Sequence, residues 1–388
     1  MVIKSKIDKL VEYIKKEDYK GYDPYDALSS SIPFNKLGKY PSWAIMQFQL
    51  RNPFNIRPLL GIKKHRGAKS IALILESYIN LYKITNSGEY LNTAKELYYW
   101  LLDNRLKNFE GNCWAIHFPV AWTDNNRPEN DPSSVLACFV FNAVFELYKV
   151  TKEESIKETL LGITKFIQTH VPVTENEYGI CYSYTTRKRD IVFNANMLVA
   201  EVLAKSFFLT GNEDFKILAE KAVEFNLHFQ KEDGRWNYKY HPETQNEKVQ
   251  IDFHQGFMVL SLSEYKKFAN DNRTIIDNAI NKGLQFYETQ FGPDGAGYYR
   301  FPNFWPIDIH NQAVGIITFA RLYSFNTSYL DLAALILKWT DKHLYERKKG
   351  YYYYRKYKFF RNKISYMRWS QSWMLLALTY FELSKTKK

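Results

Sequence analysis

Apolar residues recur along the chain in two alternating patterns from residue 64 onward. Segments of the first pattern are apolar on nearly every side, which is typical of a helix surrounded by other helices. Segments of the second pattern are apolar on one face only, as in a helix between a core and solvent. Helix-stop and helix-start residues, such as Thr-Gly-Asn-Glu-Asp at 210–214, separate the two. The chain therefore predicts a repeated helix pair.

The repeat predicts a closed ring of helices. The predicted all-round apolar helices lie near 66–85, 133–150, 193–211, 253–269, 310–325 and 369–384. The one-faced helices lie near 89–106, 153–170, 213–230, 274–290 and 327–345, and an amphipathic N-terminal stretch near 5–16 supplies the missing partner. We predict one all-α domain over residues 1–388, an (α/α)6 toroid, because an open solenoid would need a polar end helix and the last helix is apolar.

A glycine followed by aromatic residues closes each helix pair. The stretches are GNCWAIHF (111–118), YGICYSY (178–184), DGRWNYKY (233–240), DGAGYYRF (294–301) and KGYYYYRKY (349–357). They predict short extended segments. Most of these aromatic side chains should anchor their loops, but some can stack against sugar rings. The candidates for such a platform are Trp114, Tyr184, Trp236 and Tyr299.

The triplet Asp-x-His occurs twice, each time before an all-round apolar helix. Alignment of the inner helices places Asn194, His254, His310 and Ser370 in one position, and Asp252, Asp308 and Arg368 two residues earlier. The starts of the inner helices surround one end of the central hole of a toroid. We therefore expect these side chains to meet in one cavity.

Two kinds of chemistry suit these residues, and a structural role suits them as well. Asp252 and Asp308 could be the acid and base of an inverting glycosidase, or they could cap their helices. His254 and His310 suit proton abstraction and return, as in an epimerase or a lyase. The planar guanidinium of Arg368 can bind a substrate carboxylate with two hydrogen bonds, or it can pair with a capping aspartate. The hydroxyl of Tyr366 can donate a proton.

Residues 17–63 precede the repeat and carry no helix-pair pattern, so we predict an irregular region that covers the cavity mouth. Its stretch GYDPYDAL supplies Tyr22, Asp23, Tyr25 and Asp26 as candidate substrate contacts. Arg57 lies between two prolines and is a further candidate.

The charge balance favours an acidic partner. Lys and Arg number 53 against 41 Asp and Glu, a net charge of +12, but no long basic run marks a nucleic-acid groove. An acidic glycan is the expected substrate. The three cysteines show no metal-binding spacing, so no metal or other cofactor is expected, and a zinc toroid of the lanthionine-cyclase kind lacks a third ligand. No apolar run of membrane-spanning length and no signal-peptide region occur, which predicts a cytoplasmic protein.

Several stretches resemble a family of prokaryotic proteins encoded among exopolysaccharide genes. They are GYDPYDALSS (21–30), NPFNIRPLLGI (52–62), VFNAN (192–196), DFHQGF (252–257), PIDIHNQA (306–313) and YMRWSQSWM (366–374). Members are labelled polysaccharide biosynthesis proteins, and some carry an implausible aminolevulinate dehydratase label. The resemblance implies a six-hairpin glycosidase-like toroid that acts on glycans. The segment CWAIHFPVAWTDNNR (113–127) departs from the family pattern while keeping Trp114 and Trp122.

Three hypotheses follow. The first is a glycoside hydrolase that uses Asp252 and Asp308 on an acidic, uronic-acid-like glycan. The second is a sugar epimerase or polysaccharide lyase that uses His254 and His310. The third is a glycan-binding protein of polysaccharide biosynthesis without catalysis.

Overall fold

The computed structural model describes residues 2–122 and 126–386. The inner helices are α3 (Ala68–Thr85), α5 (Ser134–Thr151), α7 (Phe193–Thr210), α9 (His254–Ala269), α11 (Ile309–Arg321) and α13 (Ser372–Thr386). The outer helices are α1 (Val2–Lys16), α4 (Gly88–Asp103), α6 (Glu154–His170), α8 (Glu213–His228), α10 (Thr274–Glu288) and α12 (Ser328–His343). Helix α13 packs against α3 as well as α11, and α1 packs against α13. The ring is closed, which confirms the (α/α)6 toroid.

The inner helices end where the chain turns into the left-handed region. Asn86, Lys152, Gly211 and Asn270 follow the ends of α3, α5, α7 and α9 with φ between 55° and 72°. This conformation stops a helix by turning the backbone away from its axis. The stop residues read from the sequence therefore mark the turns between inner and outer helices. Helix α5 is long and apolar enough to cross a membrane, and 67% of it is buried in the ring.

Three of the five aromatic loops, at 178–184, 233–240 and 349–357, contribute to short antiparallel strands, and the other two form isolated bridges. The strands are β1 (Val120–Ala121), β2 (Asn126–Arg127), β3 (Val173–Asn176), β4 (Gly179–Tyr182), β5 (Ile191–Val192), β6 (Lys239–His241), β7 (Asn246–Lys248), β8 (Ile307–Asp308), β9 (Tyr345–Glu346), β10 (Tyr351–Tyr352), β11 (Arg355–Lys356) and β12 (Arg361–Asn362). Strand β11 lies between β8 and β12, and its register places Arg355 opposite Asp308. This pairing brings the last aromatic loop to the start of α11.

A buried amide at the start of four inner helices holds the aromatic loop that precedes it. The Oε1 atom of Gln255 accepts a hydrogen bond of 3.0 Å from the backbone N–H of Trp236, and Gln371 accepts one of 2.9 Å from Tyr352. Asn196 and Gln312 bind the loops of Tyr182 and Gly297 in the same way. Because each amide satisfies buried backbone groups, these contacts set the positions of these four loops on the ring.

Charged side chains fill the hole toward the C-terminal ends of the inner helices. The ammonium group of Lys205 lies 2.6 Å from Glu201 and 3.2 Å from Glu264, and Arg321 bonds Glu264 at 2.9 Å. Glu201 and Lys205 are buried. Buried charges that are paired in this way are tolerated in the interior. Because these side chains fill the C-terminal end of the hole, its open part lies at the helix starts.

The N-terminal region is more ordered than predicted. It contains α2 (Lys39–Arg51) and two 3₁₀ turns, at Asp26–Ser29 and Phe34–Leu37. Helix α2 escaped the pattern search because Trp43 and Phe48 are exposed while Gln49 is buried. Tyr22 forms a parallel bridge with Tyr366, so the region lies across the mouth at the start of the last inner helix.

Candidate active site

The starts of α9, α11 and α13 meet at one mouth of the toroid. The ring of Phe253 stacks against both imidazoles, with centroid distances of 4.3 Å to His254 and 4.2 Å to His310. Trp369 follows Arg368 and lies 4.5 Å from His310. Tyr25 of the N-terminal region lies 5.4 Å from Trp369. The starts of these three inner helices therefore lie together with Tyr25 of the N-terminal region.

Asp252 and His254 form a dyad at this mouth. The Nδ1 atom of His254 lies 2.5 Å from Oδ1 of Asp252, whose Oδ2 accepts a hydrogen bond from Gln250 at 2.8 Å. Burial by itself would raise the pKa of Asp252, but the imidazole and the hydrogen bonds lower it below its ordinary value. The carboxylate orients the imidazole through Nδ1. His254 is partly exposed, and Nε2 is the ring nitrogen that Asp252 does not contact.

His310 occupies a different environment although it belongs to the same sequence triplet. It is 1% exposed, and neither ring nitrogen has a hydrogen-bond partner among the described residues. Its ring lies 4.6 Å from that of Trp373. Burial, together with the positive charge of Arg368, lowers the pKa of His310 well below its ordinary value. The imidazole is neutral and its polar atoms are unsatisfied.

The anchoring amides explain this difference. His254 lies one residue before Gln255, whereas His310 lies two residues before Gln312. One residue corresponds to a rotation of about 100° around a helix axis. Counted from the anchoring amide, the aspartate and the histidine of the second triplet therefore both lie one residue earlier than those of the first. As a result, one imidazole is partly exposed and the other is buried.

Asp308 is committed to structural contacts. Its Oδ1 atom accepts hydrogen bonds from the backbone N–H of His310 at 2.9 Å and from the indole N–H of Trp369 at 2.9 Å. Its Oδ2 atom accepts the guanidinium N–H of Arg355 at 2.6 Å. Asp308 caps α11 and is 2% exposed. These contacts correspond to the capping alternative. Arg355 was not foreseen, because only the pairing of β8 with β11 brings it here.

The arginines at the mouth are paired with aspartates of the N-terminal region. Arg368 binds Asp23 with two hydrogen bonds, at 2.5 and 2.8 Å. Arg57 is fully buried and bonds Asp26 at 2.7 Å. The fork of Arg368 is therefore occupied by the protein itself, by a loop aspartate rather than by one from a neighbouring helix.

The predicted aromatic platform divides into two groups. Trp114 and Trp236 are 1% and 0% exposed, and their indole N–H groups bond the carbonyls of Leu101 and Asn226. We reassign both from substrate contact to loop anchoring. Tyr184 and Tyr299 are only partly buried, and Tyr299 lies under the guanidinium of Arg355 at 5.0 Å. These two tyrosines keep exposed surface near the mouth.

Three more predicted contacts lie at the helix starts and in the N-terminal region. Tyr366 is fully buried, its hydroxyl has no partner among the described residues, and Arg57 lies 4.8 Å from its ring. Asn194, in the first turn of α7, is buried with its Oδ1 unpaired within the described chain. Tyr22 is partly buried beside Tyr366. Residues 123–125 of the segment that departs from the family pattern lie outside the described residues.

Lys69, in the first turn of α3, was missed by the sequence analysis. Its Nζ lies 3.8 Å from the ring centroid of Phe139 and 5.2 Å from that of Trp373. Cation–π contacts of this kind stabilise an ammonium by about 0.5–2 kcal/mol, whereas removing an ion from water costs several kcal/mol. Burial therefore dominates, and with the charge of Arg368 it lowers the pKa of Lys69 well below its ordinary value. No repeated motif marks this lysine.

Two adjacent depressions lie beside Lys69 and Arg368. A small cavity of about 20 Å³ is lined by Tyr22, Asp23, Lys69 and Arg368, among others. A cleft of about 640 Å³ on the outside shares His65, Ala68, Ala115 and His117 with it. A cleft of this size accommodates a small ligand.

The structure also bears on metal binding. Within residues 2–122 and 126–386 no group of three His, Cys, Asp or Glu side chains is placed to hold a metal ion. Burial raises the pKa of the Cys113 thiol to about 12, and Cys181 is likewise buried. Among the described residues, these thiols lack the neighbouring ligands that the zinc centre of the lanthionine-cyclase alternative would require.

Comparisons with known proteins give a match by structure only. No family model matches the chain, and no curated protein matches its sequence. A cellobiose 2-epimerase from Bacillus thermoamylovorans has a TM-score of 0.65 and 14% identity, covering 84% of this chain and 90% of that one. A D-mannose isomerase has a TM-score of 0.61 and 14% identity over 82% and 87%. The GH76 α-mannanase of Bacteroides thetaiotaomicron has a TM-score of 0.63 and 11% identity over 83% and 86%.

The chain shares the six-hairpin toroid fold of these proteins. At 11–14% identity the likeness establishes the fold alone. It agrees with the fold implied by the resemblance to exopolysaccharide proteins, whereas membership of that particular family has no support from the family models.

Proposed function

We propose that this protein is a carbohydrate-active enzyme, a sugar epimerase or isomerase that moves a proton at a carbon next to a sugar carbonyl. The observation that carries the proposal is the Asp252–His254 dyad at the open mouth, with Nδ1 and Oδ1 2.5 Å apart. An imidazole oriented by a carboxylate is a suitable general base near neutral pH. Similar structures include a cellobiose 2-epimerase and a D-mannose isomerase, which supports sugar as the substrate class.

In this proposal His254 takes the proton from the carbon through Nε2 while Asp252 stabilises the imidazolium that forms. Return of the proton to the opposite face of the same carbon inverts its configuration, and return to the former carbonyl carbon moves the carbonyl. The neutral His310, with both nitrogens unpaired among the described residues, can bind a sugar hydroxyl or deliver a proton. An unsatisfied buried polar group costs about 1–3 kcal/mol, so a ligand that satisfies it recovers part of that cost.

The contacts of the two aspartates argue against the hydrolase hypothesis. A glycosidase acid must be protonated near neutral pH, which requires a raised pKa. The pKa of Asp252 is lowered instead. Asp308 is bound by Arg355, Trp369 and the start of α11. The expectation of an acidic substrate also loses support, because the guanidinium of Arg368 already binds the carboxylate of Asp23.

The test is proton exchange in heavy water. The purified protein is incubated with reducing mono- and disaccharides, including mannose, glucose and cellobiose, and the products are examined by NMR for deuterium at the carbon next to the carbonyl. His254→Gln and Asp252→Asn should each lower turnover by about 10²–10⁴-fold, the usual contribution of a positioned base. Both should keep the folded far-UV spectrum. His241→Gln, in the surface hairpin of β6, is the matched control and should retain full activity.

Other products would identify the alternatives. Product formation without solvent deuterium, in a reaction that survives His254→Gln but not Asp252→Asn, would restore the hydrolase hypothesis. An unsaturated, ultraviolet-absorbing product would indicate a lyase. Tight binding of oligosaccharides without any chemical change, insensitive to His254→Gln, would indicate a glycan-binding protein.

A further inference from the structure

Lys69 points into the central hole rather than along the outer surface of the ring. The three rings around its Nζ belong to three other inner helices: Phe139 to α5, Trp373 to α13 and Phe257 to α9, at 3.8, 5.2 and 6.0 Å from the ring centroids. The ring of Trp373 also contacts His310. The amine therefore shares an aromatic wall with a histidine of the candidate active site.

The amine has no compensating partner in the described part of the chain. No carboxylate lies within ion-pair distance of Nζ, and no acceptor takes a hydrogen bond from it within residues 2–122 and 126–386. Burial lowers the pKa of Lys69, and the negative charge of Asp23 only partly opposes this effect. The carboxylate of Asp23, however, is already held by two hydrogen bonds from Arg368. A lysine kept only for structure would be expected to pair with an acidic group, as Lys205 does deeper in the same hole.

Lys69 is partly accessible. It lines the small cavity of about 20 Å³ beneath the N-terminal region, and this cavity shares His65, Ala68, Ala115 and His117 with the cleft of about 640 Å³. The residue is half-buried rather than closed into the core. Lysines desolvated by apolar walls and placed beside another cation are the type that attacks carbonyl carbons.

We propose that Lys69 is a catalytic residue of this site, whose side-chain amine condenses with the aldehyde of an open-chain sugar to form an imine. The inference rests on the proposed function, since it names the covalent step that prepares the sugar for proton transfer. The amine nitrogen attacks the carbonyl carbon, and the carbonyl oxygen takes a proton. That oxygen then leaves as water, and the C=N bond forms. Hydrolysis by one water molecule later restores the amine, so the cycle needs no oxidant or reductant.

The imine makes the proton transfer easier. A protonated C=N group withdraws electrons from the adjacent carbon more strongly than a neutral carbonyl does, so the C–H bond there becomes more acidic. His254 then removes this proton and the nitrogen of Lys69 accepts the electron pair. When the proton returns to the opposite face of the same carbon, the electron pair moves back to that carbon and the C=N bond is restored, so that hydrolysis can release the epimerised sugar.

Reductive trapping tests the imine. The protein is incubated at pH 7 with mannose or with glycolaldehyde, sodium cyanoborohydride is added, and the secondary amine on each lysine is quantified by peptide mass spectrometry. Lys69 should be labelled at least tenfold faster than Lys4, an exposed lysine of α1. An ordinary lysine amine is uncharged in only about 0.04% of molecules at pH 7. The labelling rate of Lys69 should rise less steeply from pH 7 to 9 than that of free Nα-acetyl-lysine, which should rise about tenfold per pH unit.

Lys69→Met separates a catalytic role from a structural one. Removing an unpaired, half-buried amine should leave the melting temperature equal or higher, while turnover falls at least 100-fold; Lys4→Met should change neither quantity. Labelling of Lys69 no faster than that of Lys4, or full turnover of Lys69→Met, would overturn the proposal. If Lys69 traps sugar but His254→Gln remains active, the proposed function fails and this inference stands. If His254 is required and deuterium enters but no adduct forms on Lys69, only this inference fails.

Discussion

Asp308→Asn distinguishes a structural carboxylate from a chemical one. The asparagine oxygen can still accept the N–H of His310 and the indole N–H of Trp369, as Oδ1 of Asp308 does. Its NH₂ group, however, would face the N–H of Arg355, which now bonds Oδ2 at 2.6 Å. Two hydrogen-bond donors, the asparagine NH₂ and the guanidinium N–H, would then face each other. The guanidinium of Arg355, whose side chain is 5% exposed, would also lose its counter-charge.

The expected loss of stability is large. Breaking one side of a buried ion pair costs about 3–5 kcal/mol. A chain of 388 residues loses about 0.8 kcal/mol per degree near its melting temperature, so the melting temperature should fall by about 4–6 °C. Turnover at 25 °C should stay within about tenfold of the original protein, because no chemical step in the proposal uses this carboxylate.

The measurement combines scanning calorimetry with the sugar-conversion assay. Asp252→Asn is the comparison variant: it should lose turnover with a much smaller change in melting temperature, because Asp252 bonds Gln250 and His254 rather than an arginine. In the double variant Asp308→Asn/Arg355→Met, part of the lost stability should return, because the uncompensated cation is gone. An Asp308→Asn protein with unchanged stability and abolished turnover would refute the reasoning and make this carboxylate a reacting group.

Two further variants test a buried histidine and a loop anchor. Burial and the neighbouring His65 lower the pKa of His117 to about 4. Between about pH 6.5 and 4, therefore, only the unfolded chain binds a proton at this histidine. The neutral imidazole contributes on the order of 2–3 kcal/mol to the stability of the folded protein above pH 6.5, and this contribution disappears as the pH falls to 4. The melting temperature of His117→Gln should therefore fall less than that of the original protein between pH 7 and 4, and equal falls would contradict the assignment. Trp236→Phe leaves the carbonyl of Asn226 without its indole donor. This variant should lose about 1–3 kcal/mol of stability in thermal unfolding, with KM unchanged within twofold. A tenfold rise in KM at unchanged stability would instead assign Trp236 to the substrate site.

The ring and the location of the site could be predicted from the sequence because both depend on local patterns. Whether a helix is apolar all round or on one face follows from residues three and four positions apart, and stop residues such as Gly211 mark the turns. Once the pattern repeats, helix starts must converge at one mouth. The pairs Asp252–His254 and Asp308–His310 could be placed there without coordinates.

The role of each side chain depended on contacts between distant parts of the chain. Asp308 becomes a structural group only because β11 brings Arg355 to it across 47 residues. Arg368 is occupied because Asp23, 345 residues away, crosses the mouth. Lys69 became a candidate only when helices α5, α9 and α13 placed aromatic rings around it. Local periodicity determines which face of a helix is buried, whereas the ionisation and free hydrogen-bonding capacity of a side chain depend on neighbours that only the closed ring brings together.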